Sequence, residues 1–191
     1  KNPIISSELT WDIPLLIARS SGGKIIRVEN GHDLEINLQK MQNLHDENIS
    51  MVHICNPNNP TGTIIDPEKL SNALRIMSKT VLVLVDEAYN EVTDNPEVNT
   101  MVRLIKEGHN IAISRTFSKI YGMAGQRVGY IIADPEIIRT INRNGTGEFS
   151  TAMAGVSGAI ACYNDENFLK YSKSKINEAN EMVIEVTKSN G

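Results

Sequence analysis

Three short polar segments of the sequence carry side chains that could do chemistry. Residues 56–62 read NPNNPTG, residues 86–89 read DEAY and residues 114–119 read SRTFSK. The first supplies amides, the second a carboxylate and a phenol, and the third hydroxyls and the amine of Lys119. An amine, an acid and a phenol at one site are suited to covalent and acid–base chemistry.

Lys119 is followed along the chain by Arg127, which Gly125 and Gly129 flank. Taken separately, each cation is most simply a solvated surface side chain. Taken together, they fit a nucleophilic lysine, buried from water, beside a phosphate pocket, because an arginine can bind phosphate through two parallel hydrogen bonds. The glycines would let the backbone pass close to such a group.

The other two segments also have plainer interpretations. NPNNPTG is typical of a rigid turn, Asp86 could cap a helix, and Tyr89 could belong to the core. The occurrence of all these residue types together, in this order, is what favours a functional site.

The pattern of apolar residues predicts an α/β fold. Residues 81–85 (VLVLV) are apolar at every position, and such a strand needs cover on both faces, which is typical of a parallel sheet between helical layers. We predict strands at residues 24–28, 51–55, 81–85, 110–113 and 128–133, and helices near 11–20, 33–45, 67–78, 97–107, 135–142, 151–162 and 165–189.

The three polar segments directly follow three of the predicted strands. Ligands of open parallel sheets bind at the carboxyl ends of the strands. We therefore expect the side chains of these segments to converge on one edge of the sheet.

Composition limits the classes of function. The 191 residues carry a net charge of −4 with a pI of about 5.6, which argues against a nucleic-acid partner, since such proteins usually have a basic face. No apolar run reaches the length of about 20 residues that spans a bilayer, and the start lacks the pattern of a signal peptide. We expect a cytoplasmic protein, with no membrane partner, in which Cys55 and Cys162 are buried and reduced.

Several common motifs are absent. No phosphate-binding GxxxxGK[ST] occurs, and no GxGxxG follows a strand. The four histidines lack metal-ligand spacing, so we predict no metal site. His53 lies inside an apolar strand and is predicted to be a core residue.

The three segments, together with residues 125–129 (GQRVG), resemble those of the fold-type-I pyridoxal-phosphate aminotransferases, most closely the histidinol-phosphate aminotransferase branch. The resemblance runs from about Ser6 to the end of the chain. It implies a three-layer α/β/α sandwich with a mainly parallel sheet, the large domain of these enzymes. Because the chain ends after a long helix at about residues 165–191, we expect residues 1–191 to be part of that domain, with the small domain missing.

The resemblance implies three catalytic residues, which also contact the cofactor. Lys119 is similar to the lysine that bonds to the cofactor aldehyde as a Schiff base. Asp86 is similar to the acid that pairs with the pyridinium nitrogen. Tyr89, with Asn59, is similar to the pair that hydrogen-bonds the phenolic oxygen of the cofactor.

The remaining cofactor contacts are also implied by the resemblance. Thr116, Ser118 and Arg127 look like ligands of the phosphate of pyridoxal 5'-phosphate. Trp11 takes the place of an aromatic ring over the cofactor face. The family's arginine for the substrate carboxylate has no candidate in this chain, so the chain alone could be inactive.

The implied activity is transfer of an amino group between an amino acid, or an amino-alcohol phosphate such as histidinol phosphate, and a 2-oxo acid, in a homodimer. Two alternatives stay open. One is a pyridoxal-phosphate-dependent decarboxylase or lyase on the same scaffold. The other is a non-catalytic, aminotransferase-like regulatory domain.

Overall fold

A computed structural model describes residues 2–45, 48–145 and 151–190. The chain divides into two compact units. The first comprises the described residues of Lys1–Arg115 and Tyr130–Gly147, and the second those of Thr116–Gly129 and Glu148–Gly191.

The first unit is built on a six-stranded sheet with the order β2-β1-β3-β4-β5-β6. The strands are β1 (Ile4–Ser7), β2 (Ile25–Val28), β3 (Met51–Cys55), β4 (Leu82–Asp86), β5 (Ile111–Thr116) and β6 (Gly129–Ala133). The pairings β1–β2, β1–β3, β3–β4 and β4–β5 are all parallel. The predicted α/β class with a mainly parallel sheet is confirmed.

Five helices of the first unit lie between these strands along the chain, and a sixth follows β6. They are α1 (Ile13–Ser20), α2 (Leu38–Leu44), α3 (Pro67–Met77), α4 (Pro96–Asn99), α5 (Val102–Lys106) and α6 (Pro135–Asn144). Helix α3 begins as the sequence predicts. Asp66 accepts hydrogen bonds from the backbone N–H groups of Glu68 and Lys69, and Pro67 occupies the first helical position.

Two predicted helices are shorter than expected. The helix predicted at residues 33–45 begins only at Leu38, because Leu34 has a positive φ of 60°. The helix predicted at residues 97–107 is split into α4 and α5, since Thr100 is extended between them.

The main core lies between one face of the sheet and α2, α3 and α5. Val83 and Val85 of β4 are completely buried in it, with Leu70 and Leu74 of α3 against the same cluster. Leu82 and Leu84 alternate with these valines and are only half-buried. The expected cover of β4 is therefore complete on one face and partial on the other.

The second unit contains α7 (Met153–Tyr163), α8 (Glu166–Asn190) and the segment 116–129. The ring of Phe117 packs against Tyr121 at a centroid distance of 4.8 Å and against Tyr163 at 6.5 Å. Helix α7 passes so close to the segment that a Cβ atom on Gly155 would lie 2.7 Å from Cγ2 of Val128. Gly155 is required by this close approach.

Candidate active site

The carboxyl ends of β3, β4 and β5 meet at one edge of the sheet, as predicted. Asp86 is in register with Cys55 on one side and with Ser114 on the other. The backbone N–H of Asn56 donates to the carbonyl of Asp86 at 2.9 Å, and the N–H of Glu87 donates to the carbonyl of Ser114 at 2.9 Å. The first residues of all three polar segments are thus tied together by the backbone.

Asn59 and Tyr89, which the resemblance pairs, are in direct contact. The Nδ2 of Asn59 donates to the hydroxyl of Tyr89 at 3.2 Å, and both side chains are half-buried. A donor amide and a phenol that share one hydrogen bond can also share one acceptor oxygen of a ligand.

Asp86 is the last residue of β4 and is half-buried. Its Oδ1 accepts a hydrogen bond from the N–H of Ala88 at 3.1 Å. The chain then enters a 3₁₀ turn at Asn90–Val92. Asp86 therefore caps a tight turn at the strand end, and the helix-cap interpretation is wrong.

The predicted phosphate ligands are connected within the second unit. Oγ1 of Thr116 accepts from the N–H of Ser118 at 3.0 Å. Nη1 of Arg127 donates to Oγ of Ser118 at 3.2 Å and to the carbonyl of Ala124 at 2.7 Å. Arg127 has a φ of 53°, and a non-glycine residue in this left-handed region is uncommon and often lies at a functional site.

One expectation about this segment is wrong, because Lys119 is exposed to solvent and not buried. A Cβ atom on Gly125 would meet no protein atom within 4 Å, and the role of that glycine beside a phosphate stays a prediction. The unusual conformation lies at Arg127 itself.

Trp11 lies on the loop between β1 and α1 and is 45% exposed. Its neighbours on this loop are fixed to other parts of the first unit. Leu9 N–H donates to Oδ1 of Asn30 at 3.0 Å, and Nη2 of Arg27 pairs with Oδ1 of Asp12 at 2.6 Å. The loop is therefore held from both sides of Trp11.

The sequence analysis did not predict a buried ion pair formed by Glu87, the residue that follows Asp86 in the sequence. Glu87 is 1% exposed, and its carboxylate accepts from Nη2 of Arg115 at 2.8 Å and from the N–H of Met101 at 2.7 Å. Burial by itself lowers the pKa of Arg115, but the hydrogen bond to Glu87 and the charges of Glu87 and Glu91 outweigh it and raise that pKa. Burial raises the pKa of Glu91, the second carboxylate beside Arg115.

A signal for this pair was present in the sequence. Glu87 follows a strand that is apolar at each position before Asp86, and Arg115 lies inside β5. A charge in such a place is rarely buried unless it is paired.

Further features bear on the predicted partners. Within the described part of the chain, no helix combines the length and the apolar character needed to cross a membrane. Among the same residues, no group of three or more His, Cys, Asp or Glu side chains could hold a metal ion. Cys55 and Cys162 form no disulfide with each other, and Cys55 is buried as predicted whereas Cys162 is only partly buried.

Comparison with known proteins identifies close relatives. A histidinol-phosphate aminotransferase of Listeria monocytogenes serotype 4b is 40% identical over 171 residues, which cover 89% of this chain and 42% of that protein. An aromatic amino acid aminotransferase of Mycolicibacterium smegmatis is 35% identical over 156 residues, covering 80% and 42%. The chain spans about half the length of the curated relatives that it matches.

The fold is also found among solved structures. Histidinol-phosphate aminotransferase from Sinorhizobium meliloti, in complex with pyridoxal-5'-phosphate, superposes with a TM-score of 0.84 at 26% identity, covering 95% of this chain and 49% of that chain. The sequence model for "Aminotransferase class I and II" matches residues 1–188. The resemblance read from the three polar segments is therefore confirmed, and the chain belongs to the class I and II aminotransferase family.

Proposed function

We propose that this chain is the cofactor-binding part of a pyridoxal-phosphate-dependent aminotransferase. The observation that carries the proposal is the alignment of Asn56, Asp86 and Ser114 at one sheet edge. Asn59, three residues after Asn56, and Tyr89, three residues after Asp86, share a hydrogen bond. The family match over residues 1–188 supports it. The bound cofactor in the Sinorhizobium relative supports pyridoxal phosphate.

The donor set of the first unit fits the ring of this cofactor. Asp86 offers a half-buried carboxylate, which suits a protonated ring nitrogen. The amide of Asn59 and the hydroxyl of Tyr89 suit the phenolic oxygen of the ring. We assign Trp11, which is 45% exposed, to one face of the cofactor ring, because an aromatic side chain can stack on such a ring.

The donor set of the second unit fits a phosphate. The hydroxyls of Thr116 and Ser118 lie on a segment closed by Arg127, and the two hydrogen bonds of Arg127 described above both use Nη1. The Nη2 and Nε atoms of Arg127 lie side by side on the guanidinium group and can donate two parallel hydrogen bonds to an anionic acceptor. We assign Thr116, Ser118 and Arg127 to the phosphate.

Lys119 is assigned to the covalent link and to proton transfer. When bound, pyridoxal phosphate supplies a ring that can take up an electron pair from the substrate. Asp86 holds a proton at the ring nitrogen, and Lys119 moves a proton at the α-carbon of the substrate. Tyr89 and Asn59 orient the phenolic oxygen.

We further propose the substrates and the setting of the complete enzyme. The amino donor is an amino acid or an amino-alcohol phosphate such as histidinol phosphate, and the acceptor is a 2-oxo acid. The Listeria and Mycolicibacterium relatives support these two classes of donor. We expect a cytoplasmic homodimer.

The link to Lys119 is tested by borohydride reduction in the presence of pyridoxal phosphate, followed by peptide mapping. We expect one modified peptide that contains Lys119, because reduction fixes the bond between the aldehyde carbon and Nζ. Lys119→Ala should abolish this adduct. Lys170→Ala, which removes an exposed lysine that pairs with Glu166, should leave it intact.

An adduct that survives in Lys119→Ala would refute the assignment of Lys119. The reaction class is tested separately by incubating the protein with histidinol phosphate, or with an aromatic amino acid, and a 2-oxo acid. Formation of a new amino acid from the acceptor supports the proposal. Release of carbon dioxide without amino transfer would instead favour a decarboxylase.

A further inference from the structure

Two loops that carry proposed cofactor contacts are joined by one buried side chain. We call residues 8–12 the tryptophan loop and residues 56–62 the asparagine loop. Asn58 of the asparagine loop is 3% exposed, and Thr10 of the tryptophan loop is 9% exposed. The two residues lie directly beside Asn59 and Trp11 in sequence.

Every polar group of the Asn58 side chain is used between or within these loops. Its Oδ1 accepts from Oγ1 of Thr10 at 2.9 Å. Its Nδ2 donates to the carbonyl of Leu9 and to Oγ1 of Thr61, both at 2.8 Å. Because the carbonyl of Leu9 can only accept, the Nδ2 atom must face it, and the orientation of the amide is determined by the network.

The backbone of the asparagine loop is fixed around the same residue. The N–H of Asn58 donates to the carbonyl of Thr63 at 2.9 Å, and the N–H of Gly62 donates to the carbonyl of Asn58 at 2.9 Å. Asn58 therefore cannot shift without disturbing the asparagine loop. Because it also bonds to Leu9 and Thr10, its position fixes that of the tryptophan loop.

We propose that Asn58 is a positioning residue that sets Trp11 and Asn59 relative to each other. This inference rests on the proposed function, in which Trp11 covers the cofactor ring and Asn59 binds its phenolic oxygen. Because these hydrogen bonds hold the two loops together, Trp11 and Asn59 are already in place before the cofactor binds. Less conformational entropy of the loops is then lost on binding.

Two variants break different bonds of this lock. Asn58→Asp has nearly the same shape but cannot donate to the carbonyl of Leu9 or to Thr61. Thr10→Val also keeps the shape and removes only the hydrogen bond to Oδ1 of Asn58, without burying a charge. If Asn58→Asp fails to fold, Thr10→Val still tests the proposal.

A matched control is available elsewhere in the first unit. Asn99 is half-buried, and its Nδ2 donates to Oγ1 of Thr93 at 2.9 Å. Asn99→Asp removes a similar hydrogen bond at a distance along the chain from both loops. Comparison with Asn99→Asp therefore separates the effect of the loop hydrogen bonds from that of a general loss of stability.

The effect of these hydrogen bonds on the tryptophan loop can be measured without any ligand. Trp11 is the single tryptophan of the chain, so tryptophan fluorescence reports on this loop alone. Quenching of its fluorescence by acrylamide, at a temperature at which all variants are folded by circular dichroism, reports access to the indole. We expect more efficient quenching in Asn58→Asp and Thr10→Val than in the wild type and Asn99→Asp. Unchanged quenching in both loop variants would overturn the lock.

The role toward the cofactor is measured by titrating the same proteins with pyridoxal phosphate. We expect about fivefold weaker binding in Thr10→Val, the effect of one lost hydrogen bond, a larger loss in Asn58→Asp, which removes two donated hydrogen bonds, and unchanged binding in Asn99→Asp. Unchanged affinity with increased quenching would overturn the positioning role. If the wild-type chain binds no pyridoxal phosphate, the proposed function and this role both fail, while the quenching experiment still decides whether Asn58 locks the loops.

Discussion

His53 is an ionisable side chain with 0% exposure in the middle of β3. Its Nδ1 shares a hydrogen bond of 3.0 Å with Oγ of Ser6, and its Nε2 has no hydrogen-bond partner among the described residues. Burial, assisted by the charge of Arg27, lowers its pKa from 6.5 to about 4. The prediction of a structural core histidine is confirmed, and the ring is neutral in the folded protein at neutral pH.

This histidine makes folding depend on pH. Its pKa is lower in the folded than in the unfolded chain, so the unfolded chain binds the proton more readily between about pH 4 and 6.5. Its contribution to stability is complete above pH 6.5 and is lost as the pH falls toward 4. We expect the free energy of unfolding to fall by about 3 kcal/mol over this range because of His53.

Urea unfolding at a series of pH values measures the effect. His53→Asn keeps a polar partner for Ser6 but cannot take up a proton, so its stability should depend less on pH than that of the wild type. His32→Gln is the control, because the side chain of His32 is 99% exposed. Equal pH dependence in the wild type and His53→Asn would contradict the prediction.

At the scale of elements, the buried carboxylate of Glu87 joins segments that are distant in sequence. It binds Arg115 of β5 and, at the junction of α4 and α5, the hydroxyl of Thr100 at 2.9 Å and the N–H of Met101 at 2.7 Å. These contacts explain why the helix predicted at residues 97–107 is split. Thr100 and Met101 bond to Glu87, and their backbone leaves the helical path.

Glu87→Gln should therefore be strongly destabilising. The amide group cannot accept all the hydrogen bonds that the carboxylate accepts, and the partly buried Arg115 would lose the nearer of its two carboxylate partners and keep only Glu91. We expect a loss of about 3 kcal/mol in the free energy of unfolding, measured with urea. Glu136→Gln, which breaks the exposed pair with Arg139, should cost less than about 1 kcal/mol. Similar losses in the two variants would show that the Glu87 network does not hold these elements together.

The elements differ in how far the sequence predicts them. β3 was predicted at residues 51–55, where it occurs, and α3 begins at the predicted Asp66 and Pro67, because apolar runs and capping residues are local signals. The split between α4 and α5 depends on the hydrogen bonds of Glu87 to Thr100 and Met101. These contacts join residues that are distant in sequence, so the sequence of the helices themselves shows no sign of the split. The late start of α2 depends on the positive φ of Leu34, a residue that rarely adopts it.

The same division applies to the candidate site. The residue types and order of Asn59, Asp86, Tyr89 and Lys119 were readable from the sequence, because each directly follows a predicted strand or lies in the loop behind it. The roles of Asn58 and Glu87 were not, since both depend on hydrogen bonds to distant segments. The exposure of Lys119 also depends on three-dimensional packing and contradicted expectation.

At the scale of the whole molecule, a cofactor that binds only the folded chain must stabilise it. At a free concentration of 100 times its dissociation constant, pyridoxal phosphate should add about 2.7 kcal/mol, which raises the melting temperature by about 5–10 °C. Pyridoxal, which lacks the phosphate, should give a smaller shift at the same concentration. The difference between the two ligands measures the phosphate contacts alone.

Arg127→Ala should remove most of that difference. A charged hydrogen-bond donor to phosphate is worth about 1.5–3 kcal/mol, so the shift with pyridoxal phosphate should fall to nearly that with pyridoxal, whose own shift should be unchanged. Arg139→Ala is the control, since Arg139 is exposed and paired with Glu136, and it should keep the wild-type difference. If Arg127→Ala keeps the full difference, Arg127 does not bind the phosphate. If the wild type shows no shift with either ligand, this chain does not bind the cofactor by itself.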